Sequence, residues 1–213
     1  MIKLSIDNNK EFKIKDLINY SISLHKDQGF ELLNNTLQKE LTDFLIERLK
    51  YYMKEKEIRI DIIEASINSN GVDNINKIYR KASILNRLIN KQIGEDIVSS
   101  YKRASNILES ELKNNSLKLL NTVDPGILKN EYEKNLLKKI NELKKYFINI
   151  NKDENYEESL ANLADAKKVI FDFFDNVKVN DEDENIKKNR LELLQMLCRT
   201  FDNYITFSNI ETK

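Results

Sequence analysis

Apolar residues recur along this chain at steps of three and four and rarely in simple alternation, so the pattern calls for helices rather than strands. Leu17, Ile18, Ile22 and Leu24 predict a short helix over 15–24 that Gly29 closes. Leu41, Phe44, Leu45, Leu49, Tyr52 and Met53 predict a longer one over 37–54. Ile62, Ile63, Ala65 and Ile67 mark 61–68, with Gly71 as a stop. Ile75, Ile78, Tyr79, Ala82, Leu85 and Ile89 mark 75–89, and beyond Gly94 a helix over 97–112 carries Ile97, Val98, Tyr101, Ala104, Ile107, Leu108 and Leu112. Asp124-Pro125-Gly126 reads as a turn, since proline sets φ and glycine tolerates a reversed backbone. A helix over about 128–148 follows, then a polar loop near 151–155.

The last two helices are expected over 156–177 and 183–205. Leu160, Leu163, Ile170, Phe171, Phe174 and Val177 form one stripe, and Ile186, Leu193, Leu194, Leu197, Phe201 and Tyr204 the other. Two such stripes joined by a short turn are expected to pack as an antiparallel hairpin. Phe173 falls off the main stripe and is expected to meet a third helix. Asn180 or Asp181 is the expected cap of the last helix, and the run from Asp181 to Glu184 places negative charge at its positive end. Arg190 lies on the apolar side of that helix, within expected reach of Asp175, a pairing that would set the geometry of the elbow more than its stability.

With 4 Gly and 1 Pro in 213 residues the composition supports an all-α chain of antiparallel helices with short connections. The sequence divides at 95/96 into a helical connector (1–95) and a helical bundle (96–213). Lys plus Arg is 35 and Asp plus Glu is 35, and this neutrality argues against strong unaided binding of a polyanion except through a local basic face. One cysteine, Cys198, fits a reducing compartment and reads as a small buried hydrophobe. No secretory leader and no membrane-spanning apolar run is recognisable, so a cytoplasmic protein without membrane association is expected. His25 has no second His or Cys at ligand spacing, so no metal site is expected. A Gly-rich phosphate loop and a nucleophile–base pair are both missing, so no catalytic residue is expected in this chain.

The order of motifs resembles the C-terminal half of the β subunit of bacterial glycyl-tRNA synthetase, which ends in an anticodon-binding domain of the DALR type. The carriers are FLIERLKYYM with RIDIIEASI, then YKRASNIL over 101–108, then the Val123-Asp124 turn with Glu133 and Leu136. Tyr156, Leu160 and Leu163 continue the series. Phe173-Phe174-Asp175-x-Val177-x-Val179, Asp183-Glu184 and Asn189-Arg190-Leu191-x-Leu193-Leu194 complete it. The chain departs from the family at Phe171, where Asp is common, and at Ala166-Lys167, where Leu-Arg is common. Arginyl-tRNA synthetase carries a related terminal domain, but the tail Ser208 to Lys213 lacks its usual Pro-x-Arg-Met ending.

The resemblance implies a non-catalytic C-terminal fragment, preceded by an HD-type domain, that binds the anticodon of tRNA(Gly). It implies an α2β2 glycine–tRNA ligase whose α subunit uses ATP and glycine, with no cofactor held by this fragment. Lys77, Arg80, Lys81, Tyr101, Lys102, Arg103 and Asn106 are the candidate RNA contacts, because aromatic faces stack on splayed bases while cations hold the backbone. Arg87, Lys91, Lys187 and Lys188 extend the possible basic faces, which read equally as solvated helix surfaces. Arg103 and Asn106 also read as ties between helices. Phe173, Phe174, Asp175 and Arg190 are the candidate structural elbow. The alternative is a helical scaffold whose charged faces serve protein partners.

Overall fold

The structure, a computed structural model, describes residues 2–10, 13–30, 36–68, 74–114, 119–149 and 155–211. The expected stop at Gly71 and most of the expected loop at 151–155 lie outside these. The described residues form α-helices joined by short turns; among them there is no strand, only an isolated bridge between Lys13 and Asn74. Two compact units result, Met1–Asn86 and Arg87–Lys213. The division falls inside a helix, whereas the sequence alone places it at 95/96.

The first unit contains α1 (Ile2–Asp7), α2 (Ile14–Asp27), α3 (Leu37–Glu55), α4 (Ile60–Asn68) and most of α5 (Ile75–Leu88). Helix α3 packs against α1, α2 and α4. Ile14, Leu49, Met53, Ile62, Ile63, Ile75, Ala82 and Leu85 are buried, which is the 3–4 periodicity of the sequence turned into a core. Helix α3 closes where Glu57 takes a positive φ and the Ile58 N–H donates to the Met53 carbonyl. The Asn86 side chain braces this corner, accepting from the Arg59 N–H at 3.0 Å and donating to the Glu57 carbonyl at 3.3 Å.

The second unit contains α6 (Gln92–Asn114), a 3₁₀ turn (Pro125–Ile127), α7 (Glu131–Asn149), α8 (Tyr156–Asp165), α9 (Lys167–Asn176), α10 (Glu184–Phe201) and a second 3₁₀ turn (Phe207–Asn209). The single helix expected over 156–177 is broken, because Ala166 ends α8 and starts α9. The expected hairpin is also corrected. Helices α9 and α10 occupy opposite corners, each packed on α6 and α7, and α8 lies against α6, α7 and α9. The connection after α9 leaves the helix in extended backbone at Val177, which carries the chain across to the far corner. Both apolar rows point inward as expected, but onto α6 and α7.

The Asp124 carboxylate accepts from the Gly126 N–H at 2.8 Å, the turn that the Asp-Pro-Gly triplet announced. Asn189 braces it from α10, accepting from the Asp124 N–H at 2.8 Å and donating to the Asp124 carbonyl at 3.0 Å. Asp183, rather than Asn180 or Asp181, caps α10 through the Asn185 and Ile186 N–H groups. After α10 the chain turns back, and the Tyr101, Phe201 and Phe207 rings meet at centroid distances of 5.7–6.2 Å.

Gly94 proves to be part of α6, not a spacer before it. A Cβ there would stand 2.4 Å from the Ile89 Cα and 2.5 Å from the Leu88 carbonyl oxygen, both backbone atoms that cannot swing away. Gly94→Ala is therefore expected to lower stability by about 1–3 kcal/mol, the range for overpacking, despite alanine's better helix propensity. Urea unfolding midpoints at constant m-value would measure it.

Candidate nucleic-acid interface

Arg190 lies in the first turns of α10 and is 5 % exposed. Its Nε donates to Glu133 Oε1 at 2.6 Å, and its Nη1 donates to the Lys178 carbonyl at 2.8 Å and to Asp181 Oδ2 at 2.7 Å. The expected partner, Asp175, is not involved. It stands at the end of α9 facing α6, while Arg190 faces α7, because those two helices separate α9 from α10. Glu133, 1 % exposed, is the residue that the elbow reading missed. Its Oε2 accepts from the Lys129 and Asn130 N–H groups at 2.7 and 3.0 Å, and Asn130 Oδ1 accepts from the Glu133 N–H at 3.0 Å. This is a capping box, and Asn130-x-x-Glu133 is its signature in the sequence.

Arg103 takes the place at Asp175, its Nη2 donating to Oδ1 at 2.9 Å. Its guanidinium lies 5.0 Å from the Phe171 centroid and 4.8 Å from that of Phe174. This half-buried cation ties α6 to α9. Phe173 is 0 % exposed, while Phe174, expected on the buried row, is half-buried under Arg103. Both obey a three- or four-residue step from Ile170, so periodicity alone does not choose between them.

Tyr101 is 4 % exposed, with its ring against Phe201 and Phe207 and its hydroxyl donating to Asp202 at 3.3 Å, so no base can stack on it in this arrangement. Lys102 Nζ donates to the Ser208 carbonyl at 3.3 Å. Asn106 is exposed beside Phe174 and Val177. Lys77, Arg80 and Lys81 are half-buried on α5 in the first unit, each engaged with another residue. Arg87 pairs with Glu157, and Lys187 with Glu111 at 2.9 Å. Within the second unit, Tyr101, Lys102 and Arg103 are thus each committed to contacts inside the protein.

Helix α7 carries the basic face instead. Glu133, Leu136, Ile140 and Leu143 make its buried stripe. On one flank Lys134, Leu137, Lys138, Asn141, Glu142 and Lys145 line a shallow groove that begins at Pro125. On the other, Tyr132, Asn135, Lys138, Lys139 and Glu142 face α9 across a smaller cavity, so Lys138 and Glu142 border both openings. Of the five lysines in this helix, none forms an ion pair among the described residues. Burial, and then the charge of Arg199 on α10, lowers the Lys144 ammonium below its ordinary value, so positive charge is crowded at that end. The run LeuLysLysIleAsnGluLeuLysLys over 137–145 was the signal, masked by the overall neutrality. Among the described residues no metal-holding group of His, Cys, Asp or Glu occurs, and no helix is long and apolar enough to cross a membrane. Cys198 is buried, with its thiol pushed up to about 12.

A family model described as the DALR anticodon binding domain matches residues 97–213. The chain belongs to that family. The DALR region coincides with α6 through the terminal 3₁₀ turn. Along 210 residues the chain is 33 % identical to the glycine–tRNA ligase β subunit of Rickettsia africae (strain ESF-5), covering 99 % of this chain and 29 % of that protein. The same identity and coverage hold for that of Rickettsia conorii (strain ATCC VR-613 / Malish 7), and 32 % for that of Rickettsia prowazekii (strain Madrid E). The chain thus spans under a third of the length of these relatives.

Within the DALR bundle, Arg190→Leu would leave the Glu133 carboxylate buried without its cation. A loss of about 3–5 kcal/mol is expected, the range for breaking a buried pair, read from the urea midpoint. Burial raises the Asp202 carboxyl above its ordinary value, against the lowering pull of the Phe207 N–H and the Tyr101 hydroxyl. The folded chain therefore holds this proton to higher pH than the unfolded one. Its contribution to stability is complete below the unfolded value of about 3.9 and disappears as pH rises through the folded value. Asp202→Asn removes that dependence. Melting temperatures measured from pH 4 upward are expected to decline less steeply, or rise more steeply, for the variant than for the parent.

Proposed function

We propose that this chain binds the anticodon arm of tRNA(Gly) through the two solvent-facing flanks of α7, and supports glycyl-tRNA formation without catalysing it. The observation that carries this reading is the set of α7 lysines that form no ion pair among the described residues, with Tyr132 among them 39 % exposed, inside a region that matches an anticodon-binding family. Phosphates reward such a face by releasing counterions, and an exposed ring beside it gives a splayed base a stacking platform. A neutral chain that presents five lysines along one helix binds an RNA locally instead of attracting polyanions everywhere.

The longer relatives are named as β subunits of glycine–tRNA ligase. By that analogy the activation of glycine with ATP belongs to an α subunit, the assembly is α2β2 and cytoplasmic, and residues 1–95 connect the tRNA-gripping bundle to the rest of the enzyme. Lys77, Arg80 and Lys81 on α5 and Lys102, Arg103 and Asn106 on α6 are secondary in this reading, because most are committed to contacts within the protein.

A salt titration of binding to a glycine tRNA tests it. Engagement of about four phosphates is expected to give a log–log slope near −3, using the single-strand coefficient. Reversing Lys134, Lys138 and Lys145 to Glu is expected to flatten the slope and weaken binding at least tenfold, with an unchanged melting curve. Absence of binding at low salt, or binding indifferent to the anticodon, would support a protein-interaction scaffold instead.

A further inference from the structure

One row of α10 is polar although it is largely buried. Asn189, Glu192 and Gln195 follow at three-residue steps and share one side of the helix. The described segment 119–124, ahead of the first 3₁₀ turn, runs along this row. Asn189 holds both backbone groups of Asp124, and one turn further on Glu192 Oε1 accepts from the Leu120 N–H. The second carboxylate oxygen of Glu192, Oε2, is buried without a hydrogen-bond partner, in a residue only 3 % exposed. No cation among the described residues pairs with it. The amide oxygens of Gln195 and of Asn121, the residue after Leu120, are buried and unpartnered as well. Three of the five buried oxygens that lack a partner among the described residues thus fall at this one crossing.

Such a group of oxygens can only accept, so what completes it must bring protons or positive charge. A proton on Glu192 would satisfy one of the three, and a single buried water two. A bound cation meets all three at once, and it also neutralises a carboxylate that is costly to bury alone. The donors narrow the ion. Carboxylate and amide oxygens, with no sulfur or imidazole among them, are hard ligands that suit calcium and magnesium rather than zinc or copper. Calcium takes Asn and Gln carbonyls in irregular, variable coordination, whereas magnesium demands a near-ideal octahedron and keeps its waters. Asn121 supplies its oxygen from left-handed backbone, with φ of 58°, which asparagine tolerates better than most residues.

We infer that Glu192, Gln195 and Asn121 form a site for one hard divalent cation, calcium in preference to magnesium, at the crossing of α10 with segment 119–121. Glu192 is the charged ligand, the two amides add neutral oxygens, and water or backbone carbonyls fill the remaining positions. The ion ties the approach to α7 onto α10, beside the bond from Leu120 that already holds it. With one negative charge among its ligands the site is weak, in the range of about 0.1–1 mM for calcium, since affinity follows the ligand charge count. Neither His nor Cys takes part, so the usual ligand spacings leave no trace of it in the sequence.

The test uses the full chain, stripped with EDTA and desalted, and follows its melting temperature in CaCl2, in MgCl2 and in KCl of matched ionic strength. Calcium at about 10 mM is expected to raise the melting temperature by about 3 °C or more, magnesium by less, and KCl not at all. Calorimetric titration of the parent with calcium is expected to show about one ion per chain, a readout that needs no variant. Glu192→Gln is expected to abolish the calcium-dependent rise. Gln195→Glu adds a second carboxylate to the ligands and is expected to tighten calcium binding about tenfold or more. If the amides instead turn their NH2 groups to Glu192, or a neutral Glu192 shares a water with them, calcium leaves the melting temperatures of the parent and of Gln195→Glu unchanged, and the inference is overturned. A rise that KCl reproduces, or that Glu192→Gln retains, also overturns it. A larger rise with magnesium overturns the choice of calcium.

Discussion

The second unit is organised around a single buried carboxylate. Glu133 uses one oxygen to close the exposed N–H groups at the start of α7 and the other to hold Arg190 of α10. Arg190 then uses its Nη1 on the Lys178 carbonyl and Asp181, in the connection between α9 and α10. A charge of either sign left alone at that depth is strongly destabilising, so each oxygen and each N–H must find its partner for the unit to close. The start of α7, the entry to α10 and the course of the α9–α10 connection are consequently set together. Asp181 is held below the usual carboxylate range first by the Asp183 N–H and then by Arg190, which keeps the third member of the network ionised.

That constraint has a consequence for the surface. Turning Glu133, Leu136, Ile140 and Leu143 inward fixes the rotation of α7 about its axis, because residues at these steps share one face. Lys134 and Lys145 then emerge on one side, Tyr132, Asn135 and Lys139 on the other, and Lys138 and Glu142 border both. One rigid helix thereby displays its lysines along both solvent-facing flanks. Sites carried on packed helices hold their geometry better than sites on loops.

Several cations and rings that first suggest RNA contact are used within the protein. Arg103 lies over Phe171 and Phe174 and bonds to Asp175, holding α6 to α9. Tyr101 locks the returning C-terminal segment through Phe201, Phe207 and Asp202. A further cation that was no RNA candidate, Lys167, bonds to Asp96 at 2.7 Å, lowering that carboxyl from its ordinary value. Arginine and tyrosine combine a flat apolar face with directed donors, and this serves a helix junction as well as a nucleobase.

The helical periodicity, the scarcity of glycine and proline and the Asp-Pro-Gly turn were enough to establish an all-α chain and nearly every helix, because these are local properties of backbone and face. The order of short motifs, from the Tyr101 to Leu108 segment to Asn189-Arg190-Leu191, was enough to indicate the DALR family. Which helices touch was decided only in three dimensions. An apolar row specifies that it must be covered but not by what, so α9 and α10 found α6 and α7 instead of each other. The choice between Phe173 and Phe174, the partner of Arg190 and the inward turn of Tyr101 all followed from that arrangement. The lysines of α7 were legible as residues, but not as a free face: whether a cation is paired depends on neighbours that are distant in the chain and adjacent only in the folded bundle.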